Sequence, residues 1–425
     1  MAFTQSAEFQ QFKLSQLIYD TRFRSYTIQL FVLIIVLAAL YWLLGNVVDN
    51  LAAKDKDINF AYLFVRAGYD IDQQLISYTN DSTHLRASII GLLNTLVLAF
   101  AGCVLATIVG LIAGILRLSK NWIVSRLIGV YVEVFRNVPL LLWIIVSLVF
   151  FSETRPQPRD FRVTAEMAAS GQEPIATMMF NNSVAITNRS NNIPSVQFTN
   201  DLGVIDLGFV SVSVLFLATV FILVASYFTN RFVLRTATKV QWDTGVRPTT
   251  WWKSLSIWFL PLGIFFWSMG LYLDYPVLGG FNFKGGLIIS QAFMSMLVAL
   301  TLYTGAFIAE AVRAGILAIS RGQTEAAYAL GVTPSLTTRL IILPQALRVI
   351  IPPLISQYLN LTKNTSLGIA VGYLDLNGTL GGITLNQTGR ELECMVLMMS
   401  TYLVLSLIIS SIMNIYNASV KLKER

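Results

Sequence analysis

The sequence predicts an all-α, polytopic membrane protein of about eight transmembrane helices, and three observations carry that prediction. Hydrophobic residues make up 55% of the 425 and charged ones only 12%. With a mean hydropathy of +0.64, the chain is far too apolar for a soluble domain. Apolar runs recur that reach the roughly 20 residues needed to cross hydrocarbon. Lys and Arg gather on alternate connections between those runs, as they do in proteins that retain positive charge on one side of a bilayer.

Residues 1 to 25 are polar, with Lys13, Arg22 and Arg24. No short apolar core with a small-residue cleavage site follows, so a removable leader is not expected. The first span runs from Tyr26 to Val48, the second from Ser88 to Leu116 and the third from Leu127 to Phe151. A long polar segment, Ser152 to Leu207, precedes the fourth, Gly208 to Thr229. A basic connection with Arg231, Arg235, Lys239, Arg247 and Lys253 leads to the fifth, Ser254 to Asp274. The sixth is Ile289 to Val312, the seventh Ala346 to Tyr373 and the eighth Cys394 to Asn417, with Lys421, Lys423 and Arg425 after it.

Eight spans place both ends on one side. Eighteen Lys and Arg fall on that side against ten on the other, with Arg136 and Lys363 inside spans. The bias orients both ends, and the connection after span six, to the cytoplasm. It also accounts for the net charge of +7 without invoking nucleic acid. Cys103 and Cys394 are far apart in apolar surroundings and His84 is the sole histidine, so neither a disulfide nor a metal site is expected.

Polar residues inside spans are the functional candidates. In span two, Gly102, Ala106, Gly110 and Gly114 recur every four residues, a ladder for close helix packing. Span three holds Glu133, Arg136, Asn137 and Pro139. Arg136 is expected roughly 13 Å from the cytoplasmic end, and Pro139 should kink or interrupt the helix. Glu133 and Arg136, three apart, can pair; they either lock the bundle or line a path. In span seven Pro352 and Pro353 should break the start. Gln357, Asn360, Lys363 and Asn364 then share one helical face, extended by Thr365 and Ser366 and loosened by Gly368 and Gly372. That stripe is either helix glue or the wall of a hydrophilic path. Glu310 and Arg313 end span six as a structural pair.

Between spans six and seven lies a helix-forming connection, Glu325 to Pro344. Broken by Gly331 and ended by Pro344, it reads as a short helix, a turn and a second short helix. No phosphate-cradling Gly-rich loop, dinucleotide fingerprint, nucleophile elbow or zinc-ligand spacing occurs. The chain is not expected to be an enzyme or to bind a cofactor. Transport through it runs downhill, couples to an ion gradient or borrows energy from a docked partner.

The pattern Glu325-Ala326-Ala327, Gly331, Ile341, Leu343 and Pro344 resembles the coupling loop of binding-protein-dependent ABC importer permeases. Asn94-Thr95-Leu96, the Tyr131 to Leu141 segment and Lys363-Asn364-Thr365-Ser366-Leu367 are similar to the polar amino-acid branch, where Asp often replaces Asn364. The enlarged chain resembles the larger, Q-type subunit of general L-amino-acid transporters. The resemblance implies a five-helix core made by spans two, three, six, seven and eight. Residues 1–87 and 152–288 are then additions around core parts 88–151 and 289–425, with the coupling loop at 321–344.

It further implies a multi-pass protein of the bacterial inner membrane, a paralogous permease partner and a periplasmic substrate-binding protein. Two ABC ATPase subunits would carry ATP and magnesium, and an amino acid would be the solute. Glu133, Arg136, Asn137, Gln357, Asn360, Lys363, Asn364, Thr365 and Ser366 are the candidate path residues. Arg136 and Lys363 would attract a carboxylate, and 152–207 is either a contact for the binding protein or a tether. A secondary transporter, a channel, or an importer of another polar solute are the alternatives. The first would usually show an internal repeat with paired broken helices, and no repeat of the polar stripe is visible.

Overall fold

Seven segments among the described residues are long and apolar enough to cross a bilayer. The computed structural model describes residues 20–53, 57–163, 173–208 and 210–420. Lys13, Lys54, Lys56, Lys421, Lys423 and Arg425, which entered the charge balance, lie outside them. The chain divides into two compact units, Met1–Phe60 and Ala61–Arg425. The first contains α1 (Thr21–Ala52), about 48 Å long at 1.5 Å per residue, with apolar side chains around most of its surface.

The second unit is a helical bundle with a small β layer at one end. Its long helices are α2 (His84–Leu116), α3 (Trp122–Asn137), α4 (Leu140–Glu153), α5 (Val214–Thr244), α6 (Trp251–Ser268) and α7 (Gln291–Leu317). The nine-residue α8 (Arg321–Ala329), α9 (Leu343–Asn364) and α10 (Glu391–Val420) follow. Mostly helical and multi-spanning, the architecture is that expected from the sequence.

Pro139 interrupts the third span as expected, making it two helices: it has no N–H to donate and Val138 is extended, which ends α3. Two expectations about the spans and connections need correction. The fifth was drawn too long: α6 stops at Ser268 and Leu271–Asp274 is a strand. With 18 residues and four tryptophans, α6 is not among the seven apolar spans. Residues 152–213 and 271–290 were read as loop and span ends, yet their described residues contain nine short strands.

These strands tie helix ends together. β1 (Ala185–Ile186), β2 (Ser190–Ile193) and β9 (Leu287–Ser290) form one antiparallel sheet. β3 (Ser195–Phe198) pairs with β6 (Leu271–Asp274), β4 (Val204–Asp206) with β5 (Ser211–Ser213), and β7 (Val277–Gly279) with β8 (Asn282–Lys284). Arg155, just after α4, donates to Asn191 on β2, and Gln291 at the start of α7 donates to the Thr187 carbonyl. Arg86 at the start of α2 reaches Ser211 on β5, which leads into α5. The starts of α2, α5 and α7 and the ends of α4 and α6 therefore meet one layer. The α5–α6 hairpin leaves that layer and returns to it, so α6 crosses back wherever α5 crosses, although its hydropathy alone does not say so.

The bundle is built on the contact between α2 and α7. A Cβ on Gly110 would stand 2.5 Å from Ile308 Cγ2, and one on Gly114 2.8 Å from the Ala309 carbonyl oxygen. The ladder read from the sequence thus brings the two backbones together. Gly102 instead receives Leu361 of α9, and Gly315 of α7 receives Ile350 of α9. Around the contact lie Leu98, Ala106, Met296, Leu300, Ile308 and Leu361, all fully buried.

Replacing Gly110 with Leu forces these backbones apart; over-packing of this kind costs about 1–3 kcal/mol or more. The variant is expected to lose most of its monodisperse yield in detergent and melt well below wild type. Gly129→Ala, with nothing within 4 Å of the added carbon, is expected to melt at or above the wild-type temperature.

Candidate functional site

The connection after α7 forms two helical pieces around a left-handed glycine. Ser320 caps α8 by accepting from the Gly322 N–H. At its other end Gly331 has φ +74° and donates to the Tyr328 carbonyl, while Val332 donates to that of Ala327. This doubly bonded cap needs a residue without Cβ strain in the left-handed region, which is why glycine stands at 331. Glu325, Ala326, Tyr328, Leu330, Leu336 and Leu340 are exposed, with Leu330 at 82%, whereas Ala327 is buried.

Beyond Gly331 the expected second short helix does not end at Pro344. A turn at Pro334–Thr337 passes through a widened π turn, Thr338–Ile342, directly into α9. Pro344 sits in the first turn of α9, where its absent N–H is tolerated, and the widened turn before it takes up the mismatch. Ile341 and Leu343 are thus on the rod itself. Pro352 and Pro353 likewise lie inside α9 without interrupting it.

The polar stripe survives in part. Asn360 and Lys363 are exposed, Gln357 and Asn364 half-buried. Among the described residues no side chain bonds to the Lys363 ammonium. Thr365 and Ser366 do not extend the stripe. They begin a 3₁₀ segment, Thr365–Val371, and their hydroxyls return to the carbonyls of Thr362 and Lys363. Gly368 closes against Tyr373 and Gly372 caps the segment at φ +74°, so neither loosens the backbone.

Glu133 and Arg136 do not pair with each other. Glu133 lies 3.5 Å from Arg117 at the end of α2. Arg117 also holds Glu310 of α7, and Glu310 pairs with Arg313 at 2.7 Å, as the three-residue spacing foretold. Arg136, in the last turn of α3, stands over the Phe307 ring of α7 at 5.3 Å. Asn137 returns its amide to the Glu133 carbonyl. Phe135 stacks on Trp143 across the Pro139 break at 4.0 Å. One charge cluster therefore joins α2, α3 and α7, and no hydrogen bond or ion pair links it to the α9 stripe among the described residues.

Sequence reasoning missed Asp375. It is fully buried, accepts from the Gly378 N–H at 2.8 Å and from the Tyr402 hydroxyl of α10 at 3.0 Å. Asn94 of α2 donates to the Leu374 carbonyl, Thr95 accepts from the Leu376 N–H, and Tyr373 donates to the Asn94 carbonyl. Asn94 and Thr95 thereby pin the turn after α9 to α2. The signal was a lone acid in a connection of otherwise neutral residues from Gly372 to Gly389.

Residues 248–422 match the family model described as the binding-protein-dependent transport system inner membrane component. Over 97% of both chains, the protein is 59% identical to the glutamate/glutamine/aspartate/asparagine transport system permease protein BztB of Rhodobacter capsulatus. This chain belongs to the permeases of binding-protein-dependent amino-acid ABC importers. The general L-amino acid transport system permease protein AapQ of Rhizobium johnstonii is 41% identical over 96% of this chain and 94% of its own. The putative amino-acid ABC transporter permease protein YhdX of Escherichia coli is 39% identical over 95% of each. The permease is thus of the larger type, a multi-pass inner-membrane subunit of an importer that moves amino acids from periplasm to cytoplasm. Importers of this family work with an ATPase and a substrate-binding protein.

Burial pushes the Asp375 carboxyl from the ordinary 3.8 up to about 6, against the bonds from Gly378 and Tyr402 that lower it. The folded permease then takes up a proton that the unfolded chain releases at lower pH. Stability from this group falls as pH rises from about 4 through 6. Asp375→Asn is expected to flatten that part of the profile: relative to wild type, its melting temperature should gain more at pH 7.5 than at pH 5. An unchanged wild-type-minus-variant difference across the range would rule the buried carboxyl out as the cause.

Proposed function

We propose that this permease is driven by separate ATPase subunits docked on the 321–344 connection, and that it binds no cofactor itself. ATP and magnesium are held by those subunits. The supporting observation is the connection's surface. Tyr328, Leu330, Leu336 and Leu340 are all exposed, from 47% to 82%, on a short helix and turn where a solvated connection would carry polar groups. Glu325 supplies a charged anchor beside them, and Ala326 a flat spot for close approach. Because Pro334 to Asn364 is one helical run, a push on the connection reaches the polar stripe without an intervening loop.

The second permease of the importer is read as a paralogue of this chain. Glu133, Arg136, Asn137, Asn360 and Lys363 are exposed on helices that belong in hydrocarbon, where uncovered charge is costly. A paired subunit, with an aqueous path between the two, satisfies them. Arg136 and Lys363 are then the groups that attract a substrate carboxylate. The solutes are taken to be acidic amino acids and their amides, after the name of the 59%-identical relative. Two ATPases complete the assembly, and a binding protein delivers from the periplasm. The excess of Lys and Arg on one set of connections puts both chain ends, and the 321–344 connection, in the cytoplasm. Residues 88–151 and 289–425 form the core, and 1–87 and 152–288 are additions.

Glu325→Lys combined with Gly331→Val is expected to abolish co-purification of the ATPase and reduce uptake of labelled glutamate at least about tenfold, a loss near 1.4 kcal/mol of coupling. Gly331→Val strains the left-handed cap by about 1–2 kcal/mol and is expected to lower the thermal melt of the permease by a few degrees, whereas Glu325→Lys alone, at an exposed position, should leave the melt unchanged and still weaken co-purification. Retained ATPase and normal uptake would place the docking surface elsewhere.

A further inference from the structure

The α5–α6 hairpin carries a feature that the transport function leaves unused. Ser226 and Ala237 are buried and Leu234 half-buried, which sets the face of α5 turned towards α6. Arg231, Arg235 and Lys239, four residues apart, lie on the opposite face and are exposed. The same face holds Phe221, Val224 and Phe228, exposed at 73%, 47% and 61%. The basic stripe is therefore the continuation of an apolar, outward-facing line along a single helix.

Length places it in depth. Counted from Val214 at the β layer, Arg231, Arg235 and Lys239 lie roughly 26, 32 and 38 Å along the axis. Hydrocarbon is about 30 Å thick and the headgroup zones bring the bilayer to about 40–45 Å. The three side chains bracket the phosphate level of the far leaflet. Trp242 follows at 85% exposure, and Trp251 at 69% opens α6 beside Lys253. Exposed tryptophans next to Lys and Arg at one level mark a membrane interface. Asp243, one turn beyond Lys239, is the single acid from residue 231 to 253. No ion pair joins it to the stripe among the described residues, and three basic groups against one acid leave the face net positive where an ordinary solvated helix face would mix signs evenly.

We propose that this face of the hairpin tip is a binding site for anionic phospholipid headgroups of the inner leaflet. The guanidinium groups of Arg231 and Arg235 take phosphate oxygens, Lys239 adds a third charge, and Trp242 rests at the headgroup boundary. The site anchors the hairpin beside the moving core of the importer. It rests on the cytoplasmic orientation given above for the connections rich in Lys and Arg.

The test uses the complete importer, with both permeases, ATPase and binding protein. Phosphatidylglycerol retained through purification is counted by mass spectrometry. Uptake is measured in vesicles of phosphatidylcholine with and without phosphatidylglycerol. Each basic side chain near an anionic surface strengthens attachment about fivefold. The triple variant Arg231→Gln, Arg235→Gln, Lys239→Gln is expected to retain at least about tenfold less phosphatidylglycerol. It should also lose the stimulation by phosphatidylglycerol that wild type shows, while assembling normally. Equal retention and equal stimulation in the two proteins would overturn the site. Orientation is read separately, by labelling Lys239→Cys with an impermeant maleimide from the periplasmic side. No labelling beyond the unsubstituted chain is expected; labelling from outside would overturn the orientation and the inner-leaflet assignment with it.

Discussion

Two helix backbones in contact hold this permease together. In hydrocarbon, apolar side chains gain nothing by leaving lipid for one another, so helices associate through close van der Waals packing and buried hydrogen bonds. Gly110 and Gly114 of α2 meet Ile308, Ala309 and Val312 of α7 with no room for a side chain between them. Arg117, Glu310, Arg313 and Glu133 close one end of that contact with charge pairs. At the other end Asn94 and Thr95 fasten the turn that follows α9. An interface this tight is a frame, and motion has to be sought in what leans on it.

The element that leans on it is the run from Pro334 to Asn364. It touches α7 where Ile350 packs on Gly315, and α2 where Tyr358 bonds to Thr107 at 2.6 Å. One end carries exposed apolar residues and the other Lys363, whose ammonium no side chain bonds among the described residues. A widened turn at Thr338–Ile342 lets the proline be passed without a hinge. Packed helices shift as rigid bodies between discrete arrangements more readily than they bend. A rod with a docking end and a polar end is therefore suited to convert movement of an external motor into a change of the transport path.

Much of this was legible in the residues. Spans follow from hydropathy, a closely packed face on α2 from small residues four apart, the break after α3 from Pro139, and the Glu310–Arg313 pair from three-residue spacing; that α7 is what packs on that face did not. The legible signals are all local. What escaped is long-range or depends on neighbours. Strands β2 and β3 pair with β9 and β6, chain segments separated by a whole helical hairpin, and each is too short to show periodicity. Glu133 had a helix-mate in Arg136 but found Arg117, which geometry on one helix cannot reveal. Pro344, Pro352 and Pro353 suggested breaks because proline removes a donor. The first sits in the opening turn of α9, and the others are accommodated inside a continuous helix. Asp375 gave only the faint sign of an acid without a counter-charge, since its partners, Gly378 and Tyr402, are neutral.

The central claim is that the docking connection and the polar face of α9 belong to one stiff body. Its most direct test is an electron-spin distance measurement between labels at Leu336 and Ser356, both exposed and on that run, in the assembled importer with and without nucleotide. Roughly 30 Å of helix separates the two positions. The distance is expected to stay constant within about 2 Å through the cycle. A nucleotide-dependent change larger than that would show a hinge between them, near Pro344, and would contradict the account.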